Sequence, residues 1–472
     1  MTPLIYLSRQ TANHWLVGQN SEKFAEWVTR FLAELNSLTA SGNLPKLLLV
    51  EPDPIQFLAR FLAACSVGCP TFLGNPGWGK AEWEQVLTLV QPHLIWGDTS
   101  IVPGWDSTKA EQNTLNTAAA EPQPNQGWIM IPTGGSSGKI RFAIHTWETL
   151  KEAVQGFQQH FQVDQVNSFC VLPLYHVSGL MQFLRSFTSG GKLVILPFKA
   201  VESGETSEIA PSEFFISLVP TQLQRLLSHS LLTDWLSQFR TVLLGGAPAW
   251  NELLQAARSQ QIRLALTYGM TETAAQIAAL KPEEFLANHH HCGKVLPHTQ
   301  VTICDRLNHP LAANQIGKVI IQSRSLALGY YPKTDFDKVL QPDDMGFLDE
   351  QGGLHIIGRD SDKIITGGEN VFPVEVEAAI RATGYVTDVA VVGVSDRHWG
   401  QVITAVYIPK HPTISADNLR FALSDRLSKF KQPKHWIAVE SLPRNAQGKI
   451  NRKQLHQIAV NGLATRSTDS AN

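Results

Sequence analysis

The chain has 472 residues, and its 39 lysines and arginines nearly balance 41 aspartates and glutamates, for a formal net charge of −2. That length exceeds what one hydrophobic core usually organises, so we expect two or three domains. The balanced charge gives no basic footprint for nucleic acid or an anionic membrane, and 43% apolar residues exclude a disordered chain.

The compartment is predicted from the cysteines and the apolar runs. Five cysteines, an odd number without paired metal-ligand spacing, indicate a reducing environment. The opening residues, MTPLIYLSRQ, lack the basic region and long apolar stretch of a secretory signal. The best candidate for a membrane span, residues 57–74, is interrupted by Arg60 and Pro70. We therefore expect a cytoplasmic protein without a membrane span.

Helix and strand patterns alternate through the first part of the chain. Ser21 opens an amphipathic helix. Strand, helix and strand patterns follow at 47–50, 55–65 and 71–74, and a further helix and strand at 81–96. This alternation is typical of an α/β sheet.

Further apolar runs extend the α/β pattern to about residue 280. They lie at 128–131, 169–172, 192–196, 214–219 and 241–244. From about residue 300, short runs separated by Gly, Asn and Asp predict a small β subdomain. After 358–362, mixed strand and helix patterns predict a small α+β domain.

A loop rich in glycine and hydroxyl groups follows the run at 128–131. Glycine allows positive φ angles that turn N–H groups inward, and hydroxyls add donors, so such a loop suits phosphate oxygens. The candidate residues are Thr133, Gly134, Gly135, Ser136, Ser137, Gly138 and Lys139. No Ser or Thr follows Lys139, so the loop is not a Walker A motif, and a flexible surface loop is the alternative.

Two segments later in the chain suit a nucleotide. LLGGAP at 243–248 places a glycine pair after a buried strand, where a flat base could approach the backbone. TYGMTET at 267–273 offers the ring of Tyr268, the hydroxyl of Thr271 and the carboxylate of Glu272. These groups suit stacking, phosphate contact and Mg²⁺.

Three charged residues follow near the predicted domain boundary and the C-terminus. Asp344 is a candidate acceptor for ribose hydroxyls, and Arg359 is a fork-shaped donor at the boundary. Lys449 lies in PRNAQGKINR at 443–452, which is predicted to be a mobile loop.

Together, in this order and spacing, these segments resemble the adenylate-forming superfamily of acyl-CoA synthetases, peptide-synthetase adenylation domains and luciferases. The resemblance extends from about residue 125 to 455. It implies an α/β fold with a large N-terminal domain, 1–358, made of two α/β subdomains and a small β subdomain. It also implies a hinge at 359–362 and a small mobile α+β lid domain at 363–472.

The resemblance implies a role for each segment. Residues Thr133 to Lys139 hold the β- and γ-phosphates, Glu272 helps to hold Mg²⁺, and Lys449 is the catalytic lysine of adenylation. A mobile ammonium suits that last role, because attack of a carboxylate on a phosphate brings two anions together. The other implied ATP contacts are Gly246, Ala247, Tyr268, Gly269, Met270, Thr271, Asp344 and Arg359.

The phosphate loop departs from the family pattern. Gly134 replaces a hydroxyl residue, and Ile140 and Arg141 stand where the family commonly has proline and lysine. Arginine keeps the positive charge and can fork onto phosphate, so we expect activity to survive.

PLYHVSGLMQFLRSF at 173–187 matches the family segment that lines the acyl pocket. His176 is expected near the reacting carboxylate, and Arg185 lies nine positions later. We expect a helix break at Ser178 and Gly179 to bring both into one pocket, with Ser178 also touching the acid. A basic residue there suggests an acid with a second anionic group.

Within the superfamily, the chain most resembles the o-succinylbenzoate–CoA ligases of menaquinone and phylloquinone biosynthesis. Arg185 is then the anchor for the charged end of the acid, and Gly245 also contacts it. The GGENVFP segment at 367–373 implies that Gly368 and Glu369 lie beside the path of CoA. The simpler interpretations are a solvated Arg185, a core histidine at His176 and a plain β-turn at GGEN.

The predicted function is an ATP-dependent acid–CoA ligase that forms an acyl-adenylate from o-succinylbenzoate and then its CoA thioester. ATP, Mg²⁺ and CoA are the expected cofactors, and a homo-oligomer is left open. The alternatives are a ligase for another aromatic or medium-chain acid, a nucleotide-binding relative without catalysis, and a peptide-synthetase adenylation module.

Overall fold

The computed structural model describes residues 2–40, 42–105, 125–134, 139–444 and 449–469. Within these residues, four β-sheets follow one another along the chain. Each of the predicted candidates Gly135, Ser136, Ser137 and Gly138 lies outside the described residues.

The N-terminal sheet has five strands and is flanked by four helices. The strands are β1 (Leu47–Val50), β2 (Thr71–Leu73), β3 (Leu94–Gly97), β4 (Ile129–Gly134) and β5 (Ile140–His145). The helices are α1 (Pro3–Gln10), α2 (Ser21–Leu38), α3 (Pro54–Val67) and α4 (Lys80–Val90). The strand order is β3-β1-β2-β4-β5, parallel except for the antiparallel β4–β5 pair. The predicted phosphate loop therefore connects two adjacent antiparallel strands.

Side-chain caps explain where the early helices begin. The Asn20 side chain accepts hydrogen bonds from the backbone N–H groups of Glu22 and Lys23, so α2 is capped one residue before the predicted Ser21. Asp53 caps α3 in the same way, and Pro54 occupies its first turn.

The central sheet has seven strands, and its helices cover both the sheet and the candidate site. The strands are β6 (Asn167–Cys170), β7 (Leu193–Ile195), β8 (Phe214–Leu218), β9 (Thr241–Leu244), β10 (Leu264–Met270), β11 (Ala275–Ala279) and β12 (Lys294–Val295). The helices are α5 (Trp147–Phe161), α6 (Val177–Ser189), α7 (Phe198–Glu202), α8 (Pro220–Leu227), α9 (Ser230–Ser237), α10 (Asn251–Ser259) and α11 (Pro282–Leu286). The order is β12-β11-β10-β9-β8-β6-β7, and β6 to β10 pair in parallel. Their near-continuous apolar runs follow from burial on both faces.

Two smaller sheets complete the chain. The third contains β13 (Thr299–Cys304), β14 (Gly317–Ser323), β15 (Val339–Leu340), β16 (Asp344–Leu348) and β17 (Leu354–Arg359), all antiparallel. The fourth contains β18 (Ile364–Thr366), β19 (Glu369–Val371), β20 (Val386–Asp396), β21 (Gly400–Pro409) and β22 (His435–Ala438). Helices α12 (Pro373–Arg381), α13 (Ala416–Leu423) and α14 (Arg452–Asp469) accompany it.

The predicted α/β fold class agrees with these sheets, whereas one local expectation is wrong. Helix α6 runs through Ser178 and Gly179 without a break. His176 still reaches the same cavity as Arg185 because it precedes the helix as its extended N-cap residue, with φ −100° and ψ 149°. The described residues include no helix long and apolar enough to cross a lipid bilayer.

Gly179 lets the first turn of α6 pass close to the preceding chain. A Cβ at this position would lie 2.2 Å from the carbonyl oxygen of Pro173. We expect Gly179→Ala to lower the free energy of unfolding by about 1–3 kcal/mol, because backbone must move to admit the methyl group. Urea denaturation measures the change.

Gly79→Ala is the matched control for this substitution. Gly79 has φ −76°, and the nearest atom to a Cβ there is 3.7 Å away. Equal stability of the Gly179 variant and this control would contradict the close approach at α6.

Candidate active site

A cavity of about 180 Å³ opens at the carboxyl ends of β8, β9 and β10. This is the edge where parallel α/β sheets commonly bind ligands. The lining brings together residues predicted separately for the nucleotide and for the acid. They are Thr133, His176, Ser178, Arg185, Gly245, Gly246, Gly269, Met270, Thr271 and Lys449.

The glycine pair after β9 is required by the close approach of β10. A Cβ on Gly245 would lie 2.4 Å from the Thr267 hydroxyl oxygen, and Gly246 has φ +82°. Both positions therefore favour glycine, and their backbone faces the cavity. The predicted neighbour Ala247 is exposed and lies outside the cavity wall.

Tyr268, Asp344 and Arg359 form one connected group. The Tyr268 hydroxyl donates a hydrogen bond of 2.7 Å to Asp344 Oδ2, and Arg359 Nε lies 3.4 Å from Asp344 Oδ1. Burial and the neighbouring Asp344 carboxylate raise the pKa of Tyr268, so the hydroxyl stays protonated as a donor. The group joins β10 to β16 and β17, at the junction of the second and third sheets.

Glu272 is held by a tyrosine that the sequence did not identify. Its side chain is 6% exposed, and the Tyr330 hydroxyl donates a hydrogen bond to Glu272 Oε1. The guanidinium of Arg141 lies 4.1 Å from the centroid of the Tyr330 ring. Tyr330 therefore connects the predicted Mg²⁺ carboxylate to the arginine that follows the predicted phosphate loop.

The donor groups at Glu272 fit a hard divalent cation that is held mainly by a bound nucleotide. Carboxylate oxygen is a preferred Mg²⁺ ligand, and Mg²⁺ is commonly bound by one or two carboxylates together with phosphates. Among the described residues, no group of three His, Cys, Asp or Glu side chains forms a metal site of its own.

Lys449 reaches the cavity from the C-terminal part of the chain, just before α14. Lys449 is exposed as a whole residue, but desolvation where it lines the cavity lowers its pKa, as does Arg359, whereas the carboxylates of Glu272 and Asp344 act in the opposite direction. Burial, with a further contribution from Lys449, lowers the pKa of His176 to about 4. His176 is therefore neutral at physiological pH.

Arg185 lies on α6 with only 4% of its surface exposed. Its guanidinium carbon is 4.3 Å from the centroid of the Phe157 ring, and Nη2 donates a hydrogen bond of 2.5 Å to Gln276 Oε1. Burial lowers the pKa of Arg185 to about 9, so it remains a cation at neutral pH. The interpretation of Arg185 as a solvated residue is wrong.

Two N–H groups of this pair point to a missing acceptor. Arg185 Nε and Gln276 Nε2 are both buried without a hydrogen-bond partner in the described part of the chain. Buried donors are normally satisfied, so the pair is suited to an anionic or carbonyl group of a ligand. Gln276 was not identified from the sequence, although it is a lone polar residue within the buried strand β11.

Like Ala247, the predicted residues Tyr268, Glu272, Asp344 and Arg359 do not line the cavity, and the same holds for Lys139, Gly368 and Glu369. Lys139 precedes β5 and is exposed. Gly368 and Glu369 lie where β18 turns into β19, with Thr366 paired to Glu369 and Gly368 at φ +86°. The GGEN segment therefore has the hairpin-turn geometry of the simpler interpretation, and its relation to CoA stays a prediction.

Comparison with known families and proteins gives two matching regions. Residues 36–331 match the AMP-binding enzyme family, and residues 375–449 match the AMP-binding enzyme C-terminal domain. A 2-succinylbenzoate–CoA ligase from Listeria monocytogenes serovar 1/2a is 33% identical over 461 residues, covering 92% of this chain and 93% of that protein. A protein of the same name from Oceanobacillus iheyensis is 33% identical over 356 residues, covering 73% and 72%.

Solved structures with the same fold include o-succinylbenzoate coenzyme A synthetase from Bacillus subtilis in complex with AMP. Its TM-score is 0.81 at 24% identity, over 96% of this chain and 98% of that chain. ATP-bound MatB from Rhodopseudomonas palustris gives a TM-score of 0.76 at 23% identity, over 92% of both chains. These similarities confirm the predicted α/β architecture with a large N-terminal and a small C-terminal domain.

The buried Arg185–Gln276 pair should be energetically coupled. We expect Gln276→Leu to destabilise the protein by about 1–3 kcal/mol, because it removes an acceptor from a buried guanidinium. The double variant, with Gln276→Leu and Arg185→Met together, should be destabilised by about 0.5–3 kcal/mol less than the sum of the two single variants. Urea denaturation of the four proteins in the cycle measures the coupling, and strict additivity would contradict it.

Proposed function

Because the chain belongs to the AMP-binding enzyme family, we propose that it is an ATP-dependent acid–CoA ligase whose acid is o-succinylbenzoate. The relatives named 2-succinylbenzoate–CoA ligase support this choice of acid. The observation that carries it is the buried Arg185 cation, which lines the same cavity as Lys449. A buried cation in the wall of this cavity favours an acid with a second carboxylate.

The first half-reaction joins the acid to AMP. A carboxylate oxygen attacks the α-phosphorus of ATP, the bond to the bridging oxygen breaks, and pyrophosphate leaves with its electron pair. We assign Lys449 to the developing negative charge at the α-phosphate, with Thr271 contacting the same group. Neutral His176 lies at the cavity wall, where it can orient the reacting carboxylate without pairing with it as a cation.

In the second half-reaction the thiol of CoA gives up its proton to water and its sulfur attacks the acyl carbon. A thioester bond forms, and AMP leaves with the electrons of the broken acyl–phosphate bond. Gly368 and Glu369 are assigned to the path of CoA in this step. The GGEN turn must then move toward the cavity, because neither residue lines it in the structure described here.

The nucleotide is assigned to the connected groups around β10. The backbone of Gly246 and Ala247, with the Tyr268, Gly269 and Met270 segment, frames the base. Asp344 and Arg359 take the ribose hydroxyls, and the loop from Thr133 to Lys139 takes the outer phosphates. Glu272, together with the phosphates, would hold Mg²⁺, which would neutralise charge on the leaving pyrophosphate.

The assigned roles give o-succinylbenzoate one orientation in the cavity. Its succinyl carboxylate reacts, so its aromatic carboxylate must lie at the other end of the molecule. Arg185 Nε and Gln276 Nε2, the buried donors without partners in the described residues, are suited to that carboxylate. Ser178 and Gly245 also line the cavity, and we assign them to the part of the acid between its two carboxylates.

We place a hinge at 359–362, between a nucleotide- and acid-binding domain at 1–358 and a lid domain at 363–472. Residues of this segment contact both the preceding and the following domain, as expected for a hinge. The Ser361 N–H donates to Asp343 Oδ2 at 3.0 Å, and Arg452 Nε lies 3.6 Å from Asp362 Oδ2. The proposal includes a cytoplasmic location, with small molecules rather than nucleic acid as partners.

Arg185 should set the preference for a second carboxylate. We expect the protein to catalyse pyrophosphate exchange far better with o-succinylbenzoate than with 4-oxo-4-phenylbutanoate, which lacks only the aromatic carboxylate. Arg185→Ala should reduce that preference by about 100-fold or more, because it removes the buried partner of that group. The ratio of kcat/KM for the two acids measures the effect.

Arg240→Ala is the control for this experiment, since Arg240 also stacks on a phenylalanine, Phe215, but is exposed and does not line the cavity. It should leave the ratio unchanged. If o-succinylbenzoate supports no exchange, the proposed substrate is wrong. If Arg185→Ala keeps the full preference, the role of Arg185 is wrong.

Lys449 should be needed for the first half-reaction alone. We expect Lys449→Ala to slow pyrophosphate exchange by at least about 100-fold, while thioester formation from synthetic o-succinylbenzoyl-AMP is retained. Lys453→Ala, an exposed lysine in α14, is the control. Equal loss of both half-reactions in Lys449→Ala would contradict the assignment.

The pH dependence gives an independent check on Lys449. Its pKa is lowered, so its ammonium charge is lost as pH rises through a value below the ordinary 10.5. The exchange rate should therefore fall on the alkaline side before pH 10.5. In Lys449→Arg, any remaining exchange should lose this alkaline limb because arginine stays charged.

A further inference from the structure

The turn that contains Thr271 and Glu272 is fixed by hydrogen bonds from residues outside the turn to its backbone carbonyl oxygens. Its three residues, Thr271 to Thr273, form a single 3₁₀ turn between β10 and β11. His145 Nε2 lies 2.8 Å from the carbonyl oxygen of Thr271, and the Ala327 N–H donates to that of Glu272 at 2.8 Å. The Ser325 hydroxyl donates to the carbonyl oxygen of Thr273 at 2.9 Å.

The turn needs this support because its exit is strained. Ala274 and Ala275, which follow it directly, have φ angles of +54° and +80°. Residues other than glycine in this region cost about 1–2 kcal/mol each. Such a conformation persists only where surrounding contacts fix it, and hydrogen bonds to the carbonyls of the turn are contacts of that kind.

His145 fixes the first carbonyl directly. It is the last residue of β5 and is 0% exposed. A carbonyl oxygen only accepts, so Nε2 carries the hydrogen, and Nδ1 lies 3.1 Å from the Thr149 hydroxyl oxygen. Burial lowers the pKa of His145 to about 4, which keeps it neutral in this tautomer.

His298 fixes the third carbonyl through a relay. It is 4% exposed, and its Nε2 lies 3.1 Å from the Ser325 hydroxyl oxygen. Because Ser325 donates its hydrogen to the carbonyl of Thr273, its oxygen accepts from His298. A Cβ on Gly156 of α5 would lie 1.8 Å from His298 Nδ1, so the glycine makes room for the ring.

We propose that His145 and His298 are positioning residues that hold the Thr271–Thr273 turn in the geometry needed for acyl-adenylate formation. Neither histidine lines the cavity, so each acts through the turn and not on the reactants. The inference rests on the proposed function, in which Thr271 contacts the α-phosphate and Glu272 holds Mg²⁺. Two buried histidines on different parts of the fold would therefore support the same turn.

The test compares His145→Leu with His145→Gln. Glutamine can place an amide N–H near the position of the imidazole Nε2, whereas leucine removes the donor. We expect His145→Leu to lower kcat of pyrophosphate exchange by about 10- to 100-fold, because a displaced turn misplaces the groups at the reacting phosphate. KM for the acid should stay within about twofold, and His145→Gln should recover kcat to within about fivefold of the unsubstituted protein.

Nucleotide affinity, measured by calorimetry without acid, gives a readout that does not depend on which acid is used. His145→Leu should weaken ATP binding by about tenfold, and His145→Gln should restore it. His160→Leu is the control: His160 is buried on α5 and packs its ring on Phe161, outside the turn. It should lower the thermal midpoint without changing kcat or ATP affinity.

The outcomes separate the two proposals. If the unsubstituted protein exchanges no pyrophosphate with o-succinylbenzoate, the proposed function is wrong, and the calorimetric comparison still decides the role of His145. If His145→Leu matches the unsubstituted protein in both assays, or if His145→Gln is as impaired as His145→Leu, the positioning role is wrong.

Discussion

The cavity is organised around a buried positive charge. A guanidinium that is almost fully removed from water is costly unless its charge and its N–H groups are satisfied. Arg185 meets this requirement in part, through the face of Phe157 and the amide oxygen of Gln276. Arg185 Nε and Gln276 Nε2 have no partner among the described residues, and both residues line the cavity that Lys449 also lines. A second carboxylate on the acid would satisfy this buried cation, which is why the substrate proposal begins at Arg185.

The carboxylates assigned to the nucleotide and Mg²⁺, which do not line the cavity, follow a different principle. Tyrosine hydroxyls bind them: Tyr268 binds Asp344, and Tyr330 binds Glu272. Each hydrogen bond fixes one carboxylate oxygen, and the other oxygen of Asp344 lies 3.4 Å from Arg359 Nε. Because a neutral hydroxyl does not cancel the charge of the carboxylate, Glu272 keeps its affinity for a cation and Asp344 keeps its ability to accept from ribose.

Much of the fold could be predicted because its signals are local. The strands of the first two sheets are short, almost continuous apolar runs, and their ends coincide with glycine, proline or capping residues. The candidate residues around β9 and β10 were found for a similar reason, since glycine pairs and a Tyr-Gly-Met-Thr-Glu segment are contiguous in sequence. The match to the family confirms the resemblance that these segments indicated.

Contacts between distant segments could not be predicted. Gln276 is 91 positions from Arg185, Tyr330 is 58 from Glu272, and Thr271 is 126 from His145. No local pattern marks these pairs, because sheet topology alone brings them together. The prediction of a helix break at Ser178 and Gly179 was wrong for a related reason. The sequence shows two weak helix formers there, but the position of His176 depends on where α6 begins.

The most direct measurement is a crystal structure of the protein with a non-reactive analogue of o-succinylbenzoyl-AMP, in which a sulfamate replaces the phosphate. The account predicts that the aromatic carboxylate lies within hydrogen-bonding distance of Arg185 and Gln276, with Lys449 beside the sulfamate. An aromatic carboxylate exposed to solvent, with Arg185 bound to Gln276 alone, would contradict it.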